Sequence, residues 1–235
     1  SILDYLGTVV TPLKLPVGSY EIEEIETPEG FLKLEKNIEF EIKGVKDYDK
    51  NQNGDNVKKI EIFNEQITGK ISLTKKIIYA NEENVNISLL NTSDFSEIEF
   101  KLTAKEDILS KIDNSVIYGA GTTIGIYKLS KEGKLEIDNL AIGTYNLEEI
   151  KTIDGLIINK EPIEVAIDQQ HYEKEISVEN KTTLVQIEKI DKDSKKQVAG
   201  AKLAIYDEND KEIVSWISGE TPYKIEGLIV NKEYK

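Results

Sequence analysis

Three side chains in this sequence are placed to do chemistry together: Lys75, Glu149 and Asn180. Each lies in a run where apolar and polar residues alternate, and each falls on the apolar side of its run. Lys75 shares parity with Ile71 and Leu73, whereas Lys76 does not. Glu149 shares parity with Tyr145 and Leu147, whereas Glu148 faces the other way. Asn180 shares parity with Ile176 and Val178. An amine in apolar surroundings gives up its proton more readily, because burial disfavours the charged form. A carboxylate beside it can take that proton and return it. The competing reading puts Lys75 and Glu149 at strand ends as solvated charges, the common fate of these residue types. The adjacent pairs Glu23-Glu24 and Glu148-Glu149 point to opposite faces of one strand, so neither can flank a scissile bond as a hydrolase pair does.

Composition narrows the remaining chemistry. The chain has 235 residues, no Cys, one His (His171) and 30 basic residues, all lysine. Disulfides, thiolate catalysis and cysteine-based zinc sites are excluded. A formal net charge of −14 repels phosphate backbones, so nucleic acid is not an expected partner. No apolar run approaches the length of a membrane span. Asp49, Asn51, Asn53 and Gly54 match the opening of a calcium loop, but Ile60 stands where a bidentate Glu is needed. A hairpin turn at Asn53-Gly54 is the stronger reading, and no metal or cofactor is expected. His171 reads as a surface residue. Trp216 reads as a strand residue in core or inter-domain packing.

The elements that must position these residues are strands. Period-2 alternation marks Ile60–Phe63, Lys70–Lys75, Glu175–Glu179 and Leu184–Lys189. Turn residues punctuate them at Asn53-Gly54, Glu132-Gly133, Asp154-Gly155 and Glu208-Asn209-Asp210. The best helical candidate is short, Thr103 to Lys111. The fold class is all-β: tandem antiparallel β-sandwiches. An internal repeat sets their phasing. LPVGSYEIEEIETPEGF (15–31) and LAIGTYNLEEIKTIDGL (140–156) are identical at 8 of 17 positions, offset by 125 residues. ITGKISLTKK (67–76) and TTLVQIEKID (182–191) recur in the same way. The phasing predicts three segments: 1–65 as the C-terminal part of one domain, 66–181 as a complete domain, and 182–235 as the N-terminal part of a third. The joining segments are a few residues long.

These motifs carry a family likeness. LPVGSYEIEEIETPEGF resembles the "E-box" strand of Cna B-type (SpaA-like, prealbumin-like) domains of Gram-positive surface adhesins and pilins. IEKIDKDSKKQVAGAKLAIYDENDKEI resembles the opening of such a domain, and FKLTAKEDI, from Phe100, looks like a variant of its second strand. Ala141 replaces the family's usual Pro, and Ile153-Asp154 replaces the Pro28-Glu29 seen in the first copy. Neither change touches a candidate reacting group.

The resemblance implies a spontaneous isopeptide bond from a first-strand Lys to a last-strand Asn, assisted by a Glu. Carried onto this chain, the bond joins Lys75 to Asn180 and Glu149 assists. Partial sets are implied in the flanking segments: Glu24 and Asn64 in the first, with its Lys upstream of Ser1, and Lys189 in the third, with its partners beyond Lys235. The resemblance further implies a structural stalk or shaft segment of a cell-wall-anchored protein, extracellular and not an enzyme. Its partners are neighbouring repeat domains and, through other parts of the parent, a host matrix protein. The alternatives are a matrix- or glycan-binding module of a surface protein and a glycosidase accessory domain.

Overall fold

The computed structural model describes residues 2–3, 9–10, 15–44, 48–50, 53–54, 56–80 and 85–235. Every regular element among them is a strand. The chain divides into two compact units, Ser1–Ile67 and Thr68–Lys235.

The first unit is built from antiparallel pairs. β1 (Ile2–Leu3) pairs with β2 (Val9–Val10), β3 (Gly18–Ile22) with β4 (Ile38–Ile42), and β5 (Asp49–Lys50) with β6 (Asn56–Val57). The β5–β6 connection contains the Asn53-Gly54 turn, with Gly54 at φ 79°, a left-handed conformation that glycine adopts without strain. Of the calcium-loop residues, Asn51 and the side chain of Asp49 lie outside the described residues. The expected strand at Ile60–Phe63 does not form; this segment is irregular, with one bridge from Gln66 to Phe31. Alternation sets which face a strand shows, but a strand also needs a ladder partner, and among the described residues none lies beside Ile60–Phe63.

The second unit runs through β7 (Gly69–Ile78), β8 (Ile87–Ser88), β9 (Glu99–Ala104), β10 (Ile108–Leu109), β11 (Val116–Tyr118), β12 (Thr123–Lys128) and β13 (Lys134–Leu140). It continues with β14 (Gly143–Lys151), β15 (Leu156–Ile157), β16 (Ile163–Ile167), β17 (Glu173–Thr182), β18 (Leu184–Ile187), β19 (Lys202–Tyr206), β20 (Glu212–Ile217) and β21 (Tyr223–Glu226). Two four-stranded sheets, β12-β9-β14-β16 and β13-β7-β17-β15, form a sandwich. Ile71, Leu73, Ile137 and Val178 from one sheet share a buried core with Phe100, Leu102, Tyr145 and Leu147 from the other. A second, smaller cluster gathers Ile205, Val214, Ile225 and Leu228.

The helical candidate at Thr103–Lys111 is replaced by strand. Thr103 and Ala104 end β9, and Ile108–Leu109 pairs with β11 across a register shift. That irregular hairpin breaks the period-2 pattern and gives the segment its helical look. One backbone placement matters most for the site. β7 and β17, the first and last strands of the sandwich, are parallel neighbours over the whole run from Lys70↔Glu173 to Ile78↔Lys181.

Candidate cross-linking site

The site lies between the two sheets and is built from three strands. β7 and β17 lie side by side, with Lys75 opposite Val178. Strict alternation then turns Lys75 and Asn180 inward from adjacent strands. Glu149 comes from the opposing sheet, on β14. Its orientation is fixed by the Tyr145 and Leu147 side chains, which are fully buried on the same face. Tyr145 is in turn held by its hydroxyl, which donates to the Ala141 carbonyl at 2.6 Å. The equivalent bond, Tyr20 to the Pro16 carbonyl at 2.8 Å, recurs in the first unit.

The three side chains touch one another. Lys75 Nζ donates to Glu149 Oε1 at 2.9 Å and also to Asn180 Oδ1. Asn180 Nδ2 donates to Glu149 Oε2 at 3.0 Å and to the Ile157 carbonyl at 2.8 Å. The Asn159 N–H closes the outer side of Glu149, reaching Oε2 at 3.3 Å. Residue exposure is 8% for Lys75, 3% for Glu149 and 1% for Asn180. The Lys75 ammonium also sits 5.4 Å from the centre of the Phe100 ring. Burial pushes the Lys75 amine below its ordinary value of 10.5, and the opposing pull of Glu149 is the smaller effect.

Chemically, this is an amine, a proton acceptor and a primary amide held in contact in a dry site. The amide is oriented as well as near. Its nitrogen faces Glu149 and the Ile157 carbonyl, so its carbonyl end faces the amine. Sequence parity found the three side chains but not Ile157 or Asn159. Those two act through backbone groups, which no residue type signals.

The remaining candidates fall into place around this geometry. In the first unit, Asn64 Nδ2 donates to Glu24 Oε1 and Oε2 at 2.8 and 2.9 Å, and to the Leu32 carbonyl at 2.9 Å. The Leu34 N–H donates to Glu24 Oε2 at 2.8 Å, the main reason this carboxyl lies below its ordinary value. Leu32, Leu34 and Glu24 precede Ile157, Asn159 and Glu149 by the same 125 residues as the sequence repeat. The same cradle of carbonyl, N–H, Glu and Asn is therefore built twice. Lys189 lies two residues beyond the end of β18 and is exposed, so it does not take up a buried position like that of Lys75.

The other singled-out residues serve elsewhere. Glu148 faces outward and pairs with Lys101 at 2.8 Å. Exposed His171 lies 3.1 Å from Asp168. Trp216 stacks on Tyr223 with ring centres 4.6 Å apart. Among the described residues, no cluster of His, Asp and Glu suits a metal ion, and no helix is long and apolar enough to cross a membrane.

Comparison with known proteins follows the same lines. Residues 4–58 and 86–182 match the family described as SpaA, prealbumin-like fold domain. A search of curated proteins gives no match. Among solved structures, the TIE protein of Bacillus anthracis is similar with a TM-score of 0.52 at 19% identity; the match covers 94% of this chain and 38% of that one. The full-length major pilin SpaD of Corynebacterium diphtheriae gives a TM-score of 0.35 at 20% identity, covering 52% of this chain and 32% of that one. A streptococcal ancillary pilin gives 0.32 at 20% identity, covering 92% and 64%. The chain thus spans well under half of the Bacillus anthracis protein, whose likeness at this identity speaks for the fold alone.

Proposed function

The chain belongs to the SpaA family of prealbumin-like fold domains, and from that premise we propose that it is a load-bearing shaft segment of a Gram-positive surface protein or pilin. On this reading it lies outside the cell, in tandem with neighbouring domains: a complete domain over 66–181, preceded by part of one and followed by part of another. The observation that carries the reading is the buried contact of Lys75, Glu149 and Asn180 between the first and last strands of one sandwich.

The reaction is a single intramolecular condensation. Glu149 takes a proton from the Lys75 ammonium, and the neutral Nζ attacks Cγ of Asn180. A C–N bond forms between Nζ and Cγ while the Cγ–Nδ2 bond breaks. Nζ sheds its second proton as that bond breaks, and Nδ2, receiving both Nζ protons through Glu149, leaves as ammonium, with Glu149 returned to its starting state. The fold supplies the proximity that makes so weak an electrophile react, and the Ile157 carbonyl steadies the departing nitrogen. The product amide cannot be reduced, which suits a cysteine-free protein exposed to an oxidising or reducing medium.

The mechanical consequence follows from topology. Tension applied to the ends of the sandwich shears β7 against β17 along their whole parallel ladder. With the bond closed, tension passes from Lys75 directly to Asn180 and leaves the chain between them unloaded. Single-molecule pulling tests this. Lys75 and Asn180 are 105 residues apart, a span of about 350 Å when extended. That extension is expected to be missing from the unfolding trace of the sandwich. Its full appearance would refute the shaft reading.

A further inference from the structure

The load path does not stop at Asn180. β17 runs on to Thr182, and the chain enters β18 at Leu184. Thr182 and Glu226 are both buried, at 6% and 4% exposure. The Thr182 hydroxyl donates to Glu226 Oε1 at 2.7 Å. The Ala80 N–H donates to the same oxygen at 2.9 Å. Ala80 lies just past the end of β7, and Thr182 is the last residue of β17. One carboxylate therefore takes hydrogen bonds from the ends of both strands that carry the candidate cross-link.

A second element crosses the same boundary. β8 lies between β7 and β9 in sequence, yet it joins neither sheet of the sandwich. It pairs in parallel with β21, in the sheet β18-β21-β8. The Leu89 N–H donates to the Glu226 carbonyl at 2.8 Å, and the Asn86 N–H to the Lys224 carbonyl at 3.0 Å. Ile87 and Leu89 pack against the small core of Ile205, Val214, Ile225 and Leu228. So small a core gains much from two added apolar side chains. The fit is backbone to backbone. Gly227 has φ 88°, and a Cβ there would lie 2.6 Å from the Leu90 nitrogen.

We propose that Ala80, residues 86–90 and Thr182 form a docking surface for the segment that follows, Thr183–Lys235. β8 is a strand donated to that segment's sheet, Glu226 is the pin that fastens it, and the two folds open as one cooperative body. Tension leaving the sandwich then enters the next fold through both flanking strands rather than through one peptide linker. The joint uses neither the Lys75 amine nor the Asn180 amide, so it holds whether or not the cross-link closes.

Amide hydrogen exchange on the whole chain tests this. In the unaltered protein, the amides of Ala80, Asn86 and Leu89 are expected to exchange as slowly as the core amides of β19 and β20. Exchange at these three positions at free-loop rates, with Leu147 still protected, would overturn the proposal. Glu226→Ala removes one of the two acceptors of the Ala80 N–H, leaving Thr182 Oγ1 at 3.0 Å, and is expected to speed exchange at Ala80 by about twofold to tenfold, the range for one hydrogen bond. Gly227→Val is expected to expose Asn86 and Leu89 together. Leu147, in the sandwich core, reports that each variant is still folded. Unchanged exchange at Ala80 in the Glu226→Ala variant would remove Glu226 from its role as the pin.

Discussion

Replacing Lys75 with Met separates the cross-link from the packing around it. Met fills the same channel beside Phe100 with an unbranched, apolar side chain but carries no amine. The proposed bond would close a loop between residues 105 apart in sequence, for which the chain-entropy relation gives about 5 kcal/mol. Asn180 donates to Glu149 and to the Ile157 carbonyl independently of Lys75, so the amide is not expected to be left unpartnered in the variant. At an unfolding entropy of about 2 cal/mol/K per residue over the unit Thr68–Lys235, which opens as one body, 5 kcal/mol lowers the melting temperature by about 15 °C. Circular dichroism melts of both proteins, at matched concentration, measure the shift. A variant melting within about 5 °C of the parent would refute the loop-closure argument, because a closed bond contributes far more than that.

Other outcomes follow from the same geometry. Glu149→Gln keeps the shape and the hydrogen bonding to Asn180 but cannot carry a proton; its intact mass is expected to equal the calculated one, with no ammonia lost. The rate of bond closure after refolding is expected to rise with pH and level off below 10.5, because burial lowers the Lys75 value in the fold; mass sampled over time at several pH values gives the profile. In Asn180→Ala, where Lys75 stays free, the folded state binds fewer protons than the unfolded chain between the lowered Lys75 value and 10.5. Stability is therefore expected to increase with pH across that window, as urea melts would record. Gly69→Ala puts a Cβ 2.6 Å from Ile167 Cγ2 and is expected to cost about 1–3 kcal/mol, partly recovered by adding Ile167→Val.

What the sequence reveals here depends on the range of the interaction. Lys75, Glu149 and Asn180 are legible because a strand in a sandwich alternates strictly, so parity alone assigns a face. The cradle in the first unit is legible through the repeat. The run at Ile60–Phe63 has the same alternation yet forms no strand, because pairing is a property of the neighbour and not of the run. Thr103–Lys111 looks helical because a register shift between Ile108 and Leu109 interrupts the period of 2. Glu226 and β8 are the least legible. A charged residue ending a strand reads as solvated, and its burial comes from Ala80, 146 residues away in sequence.

The central claim is tested most directly by the intact mass of the whole chain under denaturing conditions, followed by peptide mapping. The account predicts a mass lighter than calculated by one ammonia, with the residues around Lys75 and Asn180 recovered in a single branched peptide. An unshifted mass, with Lys75 and Asn180 recovered in separate linear peptides, would contradict it.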